Sequence, residues 1–78
     1  MSRYTKTATD KVLIYGWDHA LGYFYEEWLP SELDSEDGKP FNDRCTMFGM
    51  KKDEFIDKLH QYRVNNSHIQ TAAGDLPI

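Results

Sequence analysis

Two hydrophobic periods divide the chain. From Lys11 to Trp17 the stretch KVLIYGW is rich in β-branched and aromatic residues and reads as a strand. Alternation puts Val12, Ile14 and Gly16 on one face and Leu13, Tyr15 and Trp17 on the other. Both faces are apolar, as in a central or doubly covered strand. Residues 18–22, DHALG, follow as a turn, because Asp18 can bond its own backbone and Gly22 tolerates positive φ. YFYEEWL then returns as a second strand, with Phe24, Glu26 and Trp28 on one face and Tyr23, Tyr25 and Glu27 on the other. A helix over residues 17–28 is the competing reading, since Leu21, Phe24, Tyr25 and Trp28 also fit a helical stripe. Gly22 within it, Gly16 just before it and the Tyr-Phe-Tyr cluster weigh against it and favour a β-hairpin.

The second period is helical. In MKKDEFIDKLHQYRV, Phe55, Ile56, Leu59 and Tyr62 form one stripe, predicting a helix over about 52–63. Asp53 and Glu54 suit the positive end of its dipole, although neither Met50 nor Lys51 is an N-cap residue. NNSHIQTAAG predicts a short helix capped by Asn66, burying Ile69, Ala72 and Ala73 and stopped by Gly74. Between the two halves, Pro30 ends the hairpin, SELDSEDGKP has the composition of an exposed connection, and FNDRCTMF supplies a third strand. Residues 1–10 lack periodicity and read as a flexible arm, leaving 11–78 as one domain. DLPI at the C-terminus returns to the surface or docks by Leu76 and Ile78. The fold class expected is α+β: a small antiparallel sheet with one or two C-terminal helices packed on one face. Val12, Ile14, Phe24 and Trp28 are expected to meet Phe55, Leu59 and Tyr62.

Composition narrows the function classes. Seventy-eight residues leave no room for a second core. A lone cysteine, Cys45, excludes an internal disulfide and fits a reducing compartment. MSRYTKTATDK carries no apolar targeting core, and no apolar run is long enough to span a bilayer. A cytoplasmic protein is the expectation. The net charge is −4, and residues 26–37 alone hold Glu26, Glu27, Glu32, Asp34, Glu36 and Asp37 without a lysine or arginine. Such a segment cannot bind phosphates directly, which requires basic side chains, and it suits a protein partner with a basic surface. A solvated loop that aids solubility is the alternative.

No motif names a reaction, cofactor or metal. From Asp34, Gly38 falls at position five, where a calcium loop needs glycine at six, and Cys45 stands where a bidentate glutamate is required. Glu26 and Glu27 are adjacent, so on a strand they diverge and cannot form a hydrolytic pair. His19, His60 and His68 lack the spacing of a zinc site. Asp18 and His19 in the turn are the best-placed pair for chemistry, and they carry the alternative reading of a small enzyme or ligand binder.

Aromatics are the strongest signal. Once one sheet face is used as core, Tyr15, Trp17, Tyr23 and Tyr25 are left on the other, and exposed rings of these types anchor interfaces. The sequence therefore predicts a non-enzymatic protein-binding module, an adaptor or an inhibitor. Its sites are Tyr15, Trp17, Tyr23 and Tyr25 on the sheet, with self-association to a homodimer through that face, and Glu32, Asp34, Glu36 and Asp37 in the acidic segment. Neither nucleic acid nor membrane is an expected partner.

Overall fold

A computed structural model describes residues 2–78. Strands β1 (Ser2–Thr7), β2 (Val12–Asp18) and β3 (Gly22–Trp28) are followed by a one-turn helix α1 (Pro30–Leu33) and strand β4 (Asn42–Cys45). A 3₁₀ turn (Thr46–Phe48) then leads to helices α2 (Lys52–Gln61) and α3 (Asn66–Ala73). The strands form one antiparallel sheet in the order β1-β2-β3-β4, and both longer helices come from the C-terminal half. This is the α+β class expected from the two periods.

The hairpin forms for the reasons its sequence suggests. Asp18 Oδ1 accepts from the Ala20 amide at 2.7 Å, and Gly22 sits at φ 74°. Its competitor, a helix over 17–28, does not form. Gly22 also meets the 3₁₀ turn, where an added Cβ would lie 2.0 Å from Thr46 Oγ1. Residues 2–7 are not a flexible arm. They pair with β2 from Ser2↔Trp17 to Thr7↔Val12, and the Ser2 hydroxyl donates to the Ile78 carbonyl. The strand shows no hydrophobic alternation, because of the three residues on its core-side face, Ser2, Tyr4 and Lys6, only Tyr4 packs against the core. Periodicity could not detect such a strand.

The helices lie on the opposite sheet face from the one expected. Leu13, Tyr15, Tyr23 and Tyr25 are buried with Phe55, Leu59, Tyr62, Val64, Ile69 and Ala72, and Trp17 packs partly buried against the same cluster. Tyr23 stacks on Phe55 at 5.1 Å between ring centroids. Alternation groups residues by face but does not say which of two apolar faces receives a second layer. The polar tips decide. Tyr23 donates to the Leu76 carbonyl at 2.8 Å, and the Tyr15 hydroxyl lies 2.7 Å from His68 Nδ1. Such long side chains span the gap to the helices with the ring in the core and the hydroxyl on a partner at the far side.

The other face closes upon itself. Arg3 on β1 reaches across β2 to Glu26 on β3 at 3.4 Å, and the Trp28 indole donates to the same carboxylate at 2.9 Å. The Phe24 ring lies against Gly16, where a Cβ would meet Phe24 at 3.2 Å and the Ser2 carbonyl oxygen at 2.1 Å. Val12, Ile14, Phe24 and Cys45 are buried there without a helix.

Both longer helices end in the same way, without glycine at the left-handed position. After α2, Arg63 has φ 55°, with its amide bonded to the His60 carbonyl and that of Val64 to Leu59. After α3, Asp75 has φ 62°, with its amide bonded to Ala72 and that of Leu76 to Thr71. Each is a paired-bond cap that usually places glycine at the left-handed residue. Gly74, expected to stop α3, is one residue early and right-handed at φ −86°. Likewise Asn65, not Asn66, caps the start of α3 by accepting from the Ser67 amide at 2.9 Å.

Leu59 is fully buried, so Leu59→Ala should lower stability by about 2–5 kcal/mol in denaturant melts. Gly74→Ala should raise it by about 0.4–1 kcal/mol, because the backbone already suits alanine. Its new Cβ would stand at ordinary contact distance, 3.6 Å, from the nearest atoms.

Candidate functional site

Glu27 alternates onto the core face of β3, and among the described residues it is the one buried charged side chain, only 3% exposed. Burial alone would raise its pKa, but three donors outweigh that. Lys58 Nζ lies at 2.9 Å from Oε1, Asn42 Nδ2 donates at 3.0 Å, and the Tyr62 hydroxyl donates to Oε2 at 2.7 Å. The net effect holds its carboxyl below the ordinary value. Tyr62 responds in the opposite direction. Burial and then the Glu27 carboxylate push its hydroxyl well above the usual tyrosine range, so it remains a proton donor.

The network opens onto a groove of about 670 Å³ between β4 and α2. Tyr25, Asn42 and Arg44 form its sheet side, and Glu54, Lys58 and Gln61 on successive turns of α2 form the helix wall. The Tyr25 hydroxyl accepts from Asn42 Nδ2 at 3.2 Å and donates to Glu54 Oε2 at 3.2 Å. Burial, with Glu54 and Glu27 nearby, raises its pKa against the opposing Asn42 bond. Arg44 crosses to Glu54 at 3.2 Å. On the rim of the groove, Asp53 and Asp57 are exposed and take part in no ion pair among the described residues.

The acidic segment is a loop over 29–41 that runs into β4 at Asn42, one of the residues lining this groove. Pro30 does more than end β3, since it opens the one-turn helix. The chain then turns back through bonds from the Ser35 amide to the Glu32 carbonyl and from the Gly38 amide to Ser35. Lys39 N donates to the Glu32 carboxylate at 3.3 Å. Gly38 is required, because a Cβ there would fall 1.7 Å from the Glu32 carbonyl oxygen. The loop closes where the Phe41 amide donates to the Glu27 carbonyl at 2.8 Å. Glu32, Asp34, Glu36 and Asp37 are exposed, and none is in an ion pair among the described residues. Leu29, Leu33 and Phe41 are exposed with them, at 46%, 38% and 53%.

The structure treats the two sets of residues expected to bind protein differently. Glu32, Asp34, Glu36 and Asp37 come together in the loop, whereas Tyr15, Tyr23 and Tyr25 lie between sheet and helices and Trp17 lies at the core margin. A homodimer through an exposed aromatic face loses its geometric basis, because those rings contact this chain's own helices. Asp18 is engaged in its turn, and His19 is exposed beside Trp17 at 4.7 Å between ring centroids, away from the groove. Among the described residues, no group of three His, Cys, Asp or Glu side chains is arranged to hold a metal ion. No helix there is long and apolar enough to cross a membrane.

Sequence reasoning missed Glu27, the apolar residues of the loop and the groove. Glu27 carried a signal: it interrupts an otherwise apolar face and shares it with Tyr23 and Tyr25. No family model, curated protein or solved structure matches this chain.

Replacing Glu27 with leucine should cost about 3–5 kcal/mol, as removing one partner of a buried pair does, because Lys58 and Tyr62 lose their acceptor. A lowered carboxyl pKa stabilises the fold fully above the ordinary value of 4.5, and the contribution is lost as pH falls through the lower folded value. Urea titrations should show Glu27→Gln less stable than wild type at neutral pH, with the difference narrowing below pH 4.5.

Proposed function

We propose that this protein is a non-enzymatic binding module that docks on a basic, partly apolar surface of another protein through the loop 29–41. One observation carries the reading. The loop holds four exposed carboxylates without an ion-pair partner among the described residues, together with exposed Leu29, Leu33 and Phe41. A loop that served solubility alone would have no use for three solvent-facing apolar side chains. Apolar anchors ringed by charge are the composition of an interface, with the anchors supplying affinity and the carboxylates steering encounter. The internal bonds of the loop also lower the ordering cost of binding. An adaptor or an inhibitor both follow from this surface. An inhibitor would cover a nucleic-acid-binding site on its target by presenting carboxylates where phosphates would sit.

Converting Glu32, Asp34, Glu36 and Asp37 together to serine should slow association with a captured partner and flatten its dependence on salt, while the melting temperature changes little. Phe41→Ser should instead speed dissociation. An unchanged association rate at low salt in the serine variant would leave the loop with a solubilising role only.

A further inference from the structure

We propose that a basic segment of the partner binds as an added strand along the free edge of β4, in the groove beneath α2. The proposal rests on the acidic docking reading above and deepens it by giving the bound segment a conformation and a charge pattern.

Three observations converge on this edge. First, β4 ends the sheet, and among the described residues no backbone group beyond β3 bonds to Asn42, Asp43 or Arg44. A strand edge of this kind supplies main-chain donors and acceptors to any extended segment laid beside it. Secondly, the groove adjoins that edge and is walled by α2. Side chains of an added strand that point the way Asn42 and Arg44 point would therefore enter it. Thirdly, the charges select the occupant. Arg44 is engaged by Glu54 and Lys58 by Glu27, so Asp53, Asp57 and Lys51 are the charged residues lining the groove that stand outside an ion pair among the described residues.

The two aspartates match a strand in spacing. One helical turn separates them by about 6 Å along the α2 axis. Alternate side chains of a strand stand about 6.6 Å apart. A segment with lysine or arginine at every second position would therefore set successive basic groups against Asp57 and Asp53 while its backbone pairs with β4. The acidic loop runs directly into β4, so the same chain could continue from the groove onto Glu32, Asp34, Glu36 and Asp37. The opposite edge is unsuited to such a segment, since β1 carries Arg3 and Lys6 and no acid.

A capped hexapeptide of alternating lysine and valine tests this, titrated at low salt into the isotopically labelled full chain and followed through the backbone amides. In an added strand, only every second peptide amide points at β4. N-methylating the peptide on one set of alternate residues should then weaken binding by at least about tenfold, while methylating the other set leaves it nearly unchanged. The amides of residues 42–45 should shift on binding, and Asp53→Asn with Asp57→Asn should weaken the unmodified peptide several-fold. Equal affinity for both methylated forms, equal loss in both, or no binding of the unmodified peptide would overturn strand addition. The serine variant of the loop separates the two readings. If it weakens the peptide while both methylated forms bind alike, acidic docking survives and strand addition fails. If only one methylated form is weakened and the loop variant binds as wild type, the edge is the docking site and the loop is not.

Discussion

A single buried carboxylate joins the parts of this molecule. Glu27 stands on the core face of β3, where Tyr62 and Lys58 from the α2 region and Asn42 from β4 all donate to it. A charge removed from water is costly unless its lone pairs are occupied, and here three donors occupy them. Its backbone carbonyl takes the Phe41 amide as well, so the residue that pins α2 to the sheet also closes the loop 29–41. Helix position, groove shape and loop base therefore share one anchor.

That anchor explains why the sheet uses its tyrosine face as the core. A layer built from Val12, Ile14, Phe24 and Trp28 would have left Glu27 and three tyrosine hydroxyls without helix partners. With the helices on the tyrosine face, Tyr15 reaches His68, Tyr23 reaches the Leu76 carbonyl and Tyr25 reaches Glu54. The opposite face needs less, because Arg3, Glu26 and Trp28 lie across it as a row of bonded side chains. Hydrophobic burial is available on either side of such a hairpin, and the satisfaction of polar groups chooses between them.

Functionally, the arrangement concentrates acidity on one region of the surface. The loop carboxylates precede β4, which forms one side of the groove lined by Asp53 and Asp57, while two of the three bases lining that groove are held by internal pairs. Rigid scaffolding beneath an exposed loop is a common basis for recognition, since the core fixes the geometry and the loop supplies the contacts. The free edge of β4 adds a backbone template to that surface.

Much of the local structure was legible from the residues alone. Period-two alternation over 11–17 and 23–29, the Asp18 and Gly22 turn chemistry and the Phe55-Leu59-Tyr62 stripe gave the hairpin, the main helix and the α+β class. These depend on neighbours within a few positions, which a sequence displays directly. Strand β1 was hidden because an edge strand whose core-side face carries one hydrophobic residue has no periodicity to read. The left-handed positions at Arg63 and Asp75 were hidden because glycine, the usual marker, is absent from both. Above all, alternation sorted the side chains into two faces but could not say which would be covered. That choice rested on hydroxyl, carboxylate and ammonium groups far apart in the chain meeting across the layer, and only the tertiary structure brings them together.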